Sequence, residues 1–337
     1  MASIPSAMRA VELHAYDGKL ESVRVAQVPV PRPGPGEVLV RVFASPINPS
    51  DLLFLRGLYG FKKPLPALPG FEGSGTVVEV GGGAVPRFLR GRSVACTTAA
   101  PNLSSGMWSE YIVTSAKLCV PLRKSITLEQ GATLLINPLT AWALISEARR
   151  GRHRAVVQTA AASAVGRMVL RLGQRFSFPV ICVVRRPEQV ALLREMGAAH
   201  VLNSSDPGFP GTLRDLCHKL HATLGFDAVA GEMSAVVLRA QPAGSRLLVY
   251  GSLSLSAVET DPGSLIFEGK RLEGFYLGDW LRRKSFLGQF QLTRQVQQLL
   301  AGELKTDIQA RLPLEEVGRA LQLAATQSTA GKILLTP

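Results

Sequence analysis

Over roughly the first 120 residues the apolar positions fall in short alternating runs punctuated by Gly and Pro, the pattern of half-buried β-strands. After the breaker Pro31-Arg-Pro-Gly-Pro-Gly36, the run Glu37-Val-Leu-Val-Arg-Val-Phe-Ala44 alternates. Thr76–Val80 ends in Gly81-Gly-Gly83, a turn, and Val94–Cys96 and Trp108–Val113 predict further short strands. Near residue 127 the period changes. Helices are predicted over Pro138–Ala148, Ala164–Arg175, Glu188–Met196 and Gly211–Leu224, with a short one before residue 246. Between them lie predicted strands at Ala155–Thr159, Val180–Val184, His200–Asn203, Phe226–Ala230 and Arg246–Tyr250. Strands alternating with helices imply parallel βαβ units with helices on both faces, and the wholly apolar Val180–Val184 suits a central strand. One more helix, Phe286–Leu300, and a closing strand, Lys332–Thr336, complete the pattern. The expected class is α/β: a β-rich part over residues 1–126, then a doubly wound parallel sheet over 127–274.

Composition narrows the function classes. A chain of 337 residues with 46% hydrophobic and 19% charged residues has the material for two packed cores. Lys plus Arg is 38 and Asp plus Glu 25, so the net charge is 38 − 25 = +13, which attracts nucleic acid, a membrane surface or a phosphorylated cofactor without choosing among them. Aromatic residues are only 6% and offer no stacking platform for single strands, so no nucleic-acid partner is expected. No uncharged apolar stretch reaches the ~20 residues of a bilayer span, and Met1–Ala10 lacks the apolar run of a secretory signal. The four cysteines (Cys96, Cys119, Cys182, Cys217) lie far apart with no C-x-x-C pair. A cytoplasmic protein with no membrane partner is the expectation. The His218/His221 pair sits on one predicted helix with no third ligand in view and reads as solvated.

The candidate chemistry begins at the turn Gln158-Thr-Ala-Ala-Ala-Ser-Ala-Val-Gly166, between the first βαβ strand and its helix. In a dinucleotide-binding turn, glycines let the backbone approach a pyrophosphate that sits on helix N-terminal N–H groups. The register puts Ala161, Ser163 and Gly166 at the three glycine positions. About 20 residues further on, a NAD site carries an acid and a NADP site a cation. Here Arg185 lies 185 − 166 = 19 residues past Gly166, followed by Arg186, with no acid until Glu188. Two guanidiniums at a strand end suit a 2′-phosphate, while a solvated basic loop is the plain alternative.

At this point the residues resemble the medium-chain dehydrogenase/reductase superfamily over essentially the whole chain. The resemblance implies a GroES-like catalytic domain, residues 1–126 completed by 275–337, into which a Rossmann domain, residues 127–274, is inserted as a doubly wound parallel sheet. Zinc-dependent members carry a Cys in the segment here written Ile47-Asn-Pro-Ser-Asp51 and a His in the segment Gly70-Phe-Glu-Gly73; this chain has neither, and Thr97–Met107 holds no cysteine lobe. No metal is therefore expected, and Cys96 reads as a small buried hydrophobe. Within the superfamily the chain resembles the 2-enoyl-CoA/ACP reductase branch, with quinone oxidoreductases next. The carrying motifs are Ile47–Asp51, Arg56-Gly-Leu-Tyr-Gly-Phe61, Leu65–Gly73, Ile136-Asn-Pro-Leu-Thr-Ala-Trp142 and Leu265–Leu277 with Trp280.

The resemblance implies NADPH as cofactor, an enoyl-CoA or enoyl-ACP substrate and a homodimer. It implies hydride transfer to the β-carbon, with Tyr59 as proton donor or enolate stabiliser; a phenol of ordinary pKa ~10 stays protonated at neutral pH. Asn48 would share the catalytic pocket. Asn137, Thr140, Ala162, Ser163, Ala164, Val165, Gly166, Arg185, Arg186, Tyr250, Gly251, Phe275, Leu277 and Lys332 would hold the cofactor, Lys332 near a phosphate. Phe275 and Leu277 are equally readable as core, and Lys332 as a solvated strand-end charge. Reduction of a quinone or small enone remains the alternative activity. The cluster Arg149-Arg-Gly-Arg-His-Arg154 could attract CoA phosphates or an acidic carrier protein, or simply keep the surface charged.

Overall fold

A computed structural model describes residues 4–99, 104–326 and 329–337, with the backbone only for Phe286. The chain opens with strands β1 (Ala7–Leu13), β2 (Val23–Pro29) and β3 (Glu37–Pro46), helix α1 (Pro49–Leu55), β4 (Glu72–Val80) and α2 (Ala84–Leu89). Strands β5 (Ser93–Thr97), β6 (Tyr111–Ser115) and β7 (Cys119–Pro121) precede the short α3 (Leu128–Ala132). The alternating part follows: α4 (Asn137–Arg150), β8 (Val156–Gln158), α5 (Ala164–Arg175), β9 (Val180–Val184), α6 (Pro187–Glu195), β10 (His200–Asn203), α7 (Phe209–Leu220) and β11 (Leu224–Asp227). It continues with α8 (Glu232–Ala240), β12 (Arg246–Val249), α9 (Pro262–Ile266), β13 (Arg271–Gly274), α10 (Leu277–Arg282) and α11 (Phe286–Leu299). Strand β14 (Ile308–Pro313), α12 (Val317–Thr326) and β15 (Lys332–Thr336) close the chain.

Two compact units result: residues 1–136 with 295–301 and 305–337, and residues 137–294 with 302–304. The first junction lies at 136/137 rather than 126/127, because α3 packs on β3, β4 and β5. The return comes at 295 rather than 275, because β13 joins the parallel sheet and α10 packs on α4.

In the first unit the sheet order is β14-β15-β3-β4-β5-β7, with β6 also paired to β3, and β1-β2 form a separate antiparallel ribbon. The inward residues Val38, Val40, Val77, Val94, Cys96 and Ile112 make one core, and Phe54, Phe71, Trp108, Leu314 and Leu335 anchor another. Trp108 does not begin a strand as expected; its N–H donates to the Pro69 carbonyl at 3.2 Å and the strand starts at Tyr111.

The second unit is a six-stranded parallel sheet of order β10-β9-β8-β11-β12-β13. Every residue of β8 and β9 is buried, which is why β9 reads as an unbroken apolar run, while the buried Gln158 of β8 donates to the Gly166 carbonyl at 3.0 Å. Helix α7 stops at Leu220 because His221 turns left-handed (φ 51°), so Leu224, expected in that helix, instead opens β11. All four cysteines are free and buried, and Cys96 faces Cys119 across β5 and β7. No helix among the described residues is long and apolar enough to cross a membrane.

Candidate active site

In the first unit, the motif Ile47–Asp51 turns β3 into α1, and Asp51 closes that turn by accepting from the Asn48 N–H at 2.8 Å and from the Phe71 N–H at 3.1 Å. Asn48 is buried, and its two side-chain ends meet opposite charges. Its Nδ2 donates to Glu72 Oε1 at 2.8 Å, while Lys332 Nζ donates to its Oδ1 at 2.5 Å and to the Ile47 carbonyl at 3.2 Å. Glu72 is tied at its other oxygen by the N–H groups of Leu135 (2.9 Å) and Ile136 (3.0 Å). Lys332 is thus a buried member of the Asn48 network and not a solvated strand end.

Burial pushes both carboxyl groups up to about 7, against the hydrogen-bonding N–H groups and the Lys332 ammonium that pull them down. A folded-state pKa above the unfolded value means the native chain holds protons that the unfolded chain releases between the ordinary carboxylate range and about pH 7. Asp51 and Glu72 therefore favour folding more as pH falls through that window. We expect the melting temperature to be higher at pH 5.5 than at pH 8, and a fall on acidification across that range would contradict the assignment.

Tyr59 sits on the loop after α1, half-buried, its ring against Phe61 (centroids 5.1 Å apart, near-perpendicular) and Phe71 (4.6 Å, 39°). Phe54 backs this group through Phe71 at 5.3 Å. Phe71, at the position where zinc-dependent relatives of the resembled family carry histidine, is fully buried and forms the floor beneath Tyr59. Gly57, at φ +68°, lets the loop turn where a Cβ would lie 3.0 Å from Tyr16. Lys63 anchors the far end: its buried ammonium donates to the Ser105 carbonyl at 2.7 Å, and burial lowers its pKa to about 8. Residues 100–103 of the short segment Thr97–Met107 lie outside the described residues.

In the second unit, β8 leads through Thr159–Ala162 into α5, where Ser163 caps the helix by accepting from the Gly166 N–H at 3.2 Å. Ala162, Ser163, Ala164 and Val165 lie at that N-terminus, whose first N–H groups have no i−4 carbonyl of their own. Ala160 adopts the left-handed conformation (φ 47°), one position before the expected first glycine site. A Cβ on Gly166 would lie 2.4 Å from the Ala161 carbonyl oxygen, so this position requires glycine for the helix to start so close to the strand. Next to the turn, Thr159 donates to Asp227 Oδ1 at 2.6 Å, and the same carboxylate accepts from the Val229 N–H (2.8 Å) and from Ser234.

Arg185 is exposed at the end of β9, and its N–H donates to Gln189 at 3.2 Å. Arg186 instead forms a 3.0 Å ion pair with Glu188. At the end of β12 the Tyr250 hydroxyl is shielded and has no hydrogen-bond partner among the described residues, and burial together with Asp227 pushes its pKa up. Gly251 follows, where a Cβ would come within 2.8 Å of the Ala228 carbonyl. Asn137 and Thr140 are buried in the first turn of α4, and Phe275 and Leu277, half-buried, flank the end of β13 and the start of α10. The structure thus groups Asn48, Tyr59 and Lys332 in the first unit, and the helix-α5 turn, Arg185, Tyr250 and Gly251 at strand ends of the second. Sequence reasoning missed Asp51 and Glu72 as charged groups and Asp227 altogether. The available signal was two acids and a lysine inside segments otherwise patterned for burial.

Comparison with known proteins settles the family. Residues 34–124 match the family described as alcohol dehydrogenase GroES-like domain, and residues 164–292 the family described as zinc-binding dehydrogenase. The mitochondrial enoyl-[acyl-carrier-protein] reductase of Caenorhabditis elegans is 30% identical, with 93% of this chain and 90% of that protein covered. The chain belongs to the medium-chain dehydrogenase/reductase superfamily. It is an oxidoreductase of that NAD(P)-binding family. A Mesorhizobium loti structure, provisionally described as an NADPH:quinone reductase, superposes with TM-score 0.90 at 34% identity, covering 99% of this chain and 100% of that one. A mycobacterial structure solved in complex with NADPH shares the fold (TM-score 0.83, 24% identity, 98% and 100% covered).

The second family's description names zinc, and the residues present do not fit it. Phe71 fills a ligand position with a ring, Asn48 Oδ1 already faces an ammonium, and no three His, Cys, Asp or Glu among the described residues are grouped to hold a metal. A dinucleotide fits better: Gly166 admits the close strand-to-helix turn, and Tyr250 leaves a shielded hydroxyl without a partner at the strand ends.

Proposed function

We propose that this enzyme reduces the C=C bond of α,β-unsaturated thioesters carried on CoA or acyl carrier protein, with NADPH as reductant. The observation that carries the reading is the Phe71 ring in a metal-ligand position, stacked beneath Tyr59. A developing charge there must be met by hydrogen bonds rather than by a Lewis acid. Bound NADPH supplies the hydride that adds to the β-carbon. The thioester carbonyl takes the electron pair as an enolate, to which the Tyr59 phenol donates a hydrogen bond or proton, leaving the saturated thioester after protonation at the α-carbon. Asn48 borders the same site. Relatives named enoyl-[acyl-carrier-protein] reductase support this substrate class.

The likeness to the Mesorhizobium loti structure favours a second reading, reduction of a quinone or small enone on the same residues. An NADPH-oxidation screen across crotonyl-CoA, octenoyl-CoA, enoyl-ACP and simple quinones separates the two. Turnover of quinones alone would remove the thioester assignment.

Helix α5's N-terminus receives the cofactor pyrophosphate, and Arg185, at the end of β9, the 2′-phosphate. Arg186 is engaged by Glu188, so Arg185 carries the selectivity. Arg185→Ala weakens NADPH by about 1.5–3 kcal/mol, the scale of a charged hydrogen bond, and leaves NADH nearly unaffected. Equal losses for both nucleotides in a fluorescence titration would reject the phosphate contact.

The homodimer we propose pairs two β13 edges. In an antiparallel register centred on Leu272, Arg271 of each chain opposes Glu273 of the other, and the adjacent Ile266 and Phe267 are 70% and 87% exposed. Sedimentation as a monomer would exclude it. Relatives of the reductase name are mitochondrial, and we propose the cytoplasm for this chain, which cell fractionation checks.

A further inference from the structure

Resting on the reading that Asn48 belongs to the reactive site, we propose that Glu72 and Lys332 are positioning residues that clamp the Asn48 amide from its two ends. A carboxamide turns about its last torsion with two nearly equivalent orientations, so in an indifferent pocket its oxygen and nitrogen can exchange places. Here the exchange is barred wherever Glu72 is ionised, that is above about pH 7. Lys332 offers only donors and meets Oδ1 at 2.5 Å; ionised Glu72 offers only acceptors and meets Nδ2 at 2.8 Å. A flipped amide would set NH2 against an ammonium and a carbonyl oxygen against a carboxylate, losing two charge-assisted hydrogen bonds inside a shielded site.

Both jaws are fixed to backbone. Lys332 Nζ also donates to the Ile47 carbonyl at 3.2 Å, and Glu72 Oε2 accepts from Leu135 and Ile136 at 2.9 and 3.0 Å. Asp51 holds the Asn48 main-chain N–H at 2.8 Å, so the residue is fixed at its backbone and at both amide atoms. The clamp sets which polar atom of Asn48 points at the reacting molecule. Lys332 then acts through Asn48 and not through a cofactor phosphate.

A double-mutant cycle tests this on the full chain. Asn48→Ala and Lys332→Met should each lower kcat about tenfold or more. The double variant should fall no more than about threefold below the worse single, with NADPH affinity unchanged within about threefold. Multiplicative losses in kcat, or a selective rise in the NADPH Kd on Lys332→Met, would overturn the clamp. A second readout does not depend on turnover. The side-chain NH2 resonance of Asn48, assigned by its loss in Asn48→Ala, should move in the conservative variants Lys332→Arg and Glu72→Asp. A resonance unmoved in both refutes the proposal. If the wild type reduces neither enoyl thioesters nor quinones, the functional reading fails while this resonance still decides the clamp.

Discussion

Replacing Tyr59 with Phe should lower the turnover of enoyl thioesters by about 10²- to 10⁴-fold, the range for losing a positioned proton donor, with NADPH affinity held within about threefold. The substitution keeps the ring and its aromatic partners, Phe61 and Phe71, at 5.1 and 4.6 Å. A thermal melt beside the kinetics separates loss of the reacting hydroxyl from a disturbed loop. Steady-state kinetics with crotonyl-CoA, beside a nucleotide titration, reads both quantities. Unchanged turnover would strip Tyr59 of its role while leaving the family assignment intact.

Gly166→Val should abolish nucleotide binding and destabilise the second unit by about 2–4 kcal/mol. A Cβ there lies 2.4 Å from the Ala161 oxygen and 2.7 Å from the Ala161 Cα, and a branched side chain adds further overlap. Both contacts are main-chain atoms of the turn itself, so relief requires α5 to retreat from β8. That retreat would displace the N–H groups of the helix start from any phosphate they serve. Loss of NADPH and NADH binding together, with a lowered thermal midpoint, is the expected pair of observations; a variant that still binds either nucleotide with wild-type affinity would show that the close turn is not the phosphate site.

The parallel sheet was legible because burial on both faces writes itself into sequence: β9 begins and ends where the apolar run does, and α5 runs from Ser163's cap to Arg175. Edge strand β13 was not legible. Its four residues, Arg-Leu-Glu-Gly, are exposed at both ends and half-buried in the middle, and carry no apolar run. Helix α7 was expected to end four residues later than it does, since nothing marks His221 as left-handed where glycine is the usual stop. The turn and Arg185 followed from spacing along one βαβ unit. The Asn48 network did not, because its members lie 24 and 284 positions from Asn48 and are joined only when β15 pairs with β3. Local pattern carries elements, and such long-range polar contacts appear only after the topology closes.

Phe71 also limits what can be built on this scaffold. A histidine grafted at that position would not by itself convert the enzyme to a metallodehydrogenase: no three His, Cys, Asp or Glu among the described residues stand grouped to hold a metal, and the phenol would lose its aromatic floor. Interconverting the two chemistries requires exchanging several neighbouring side chains at once, so intermediates along that route would be poor at both.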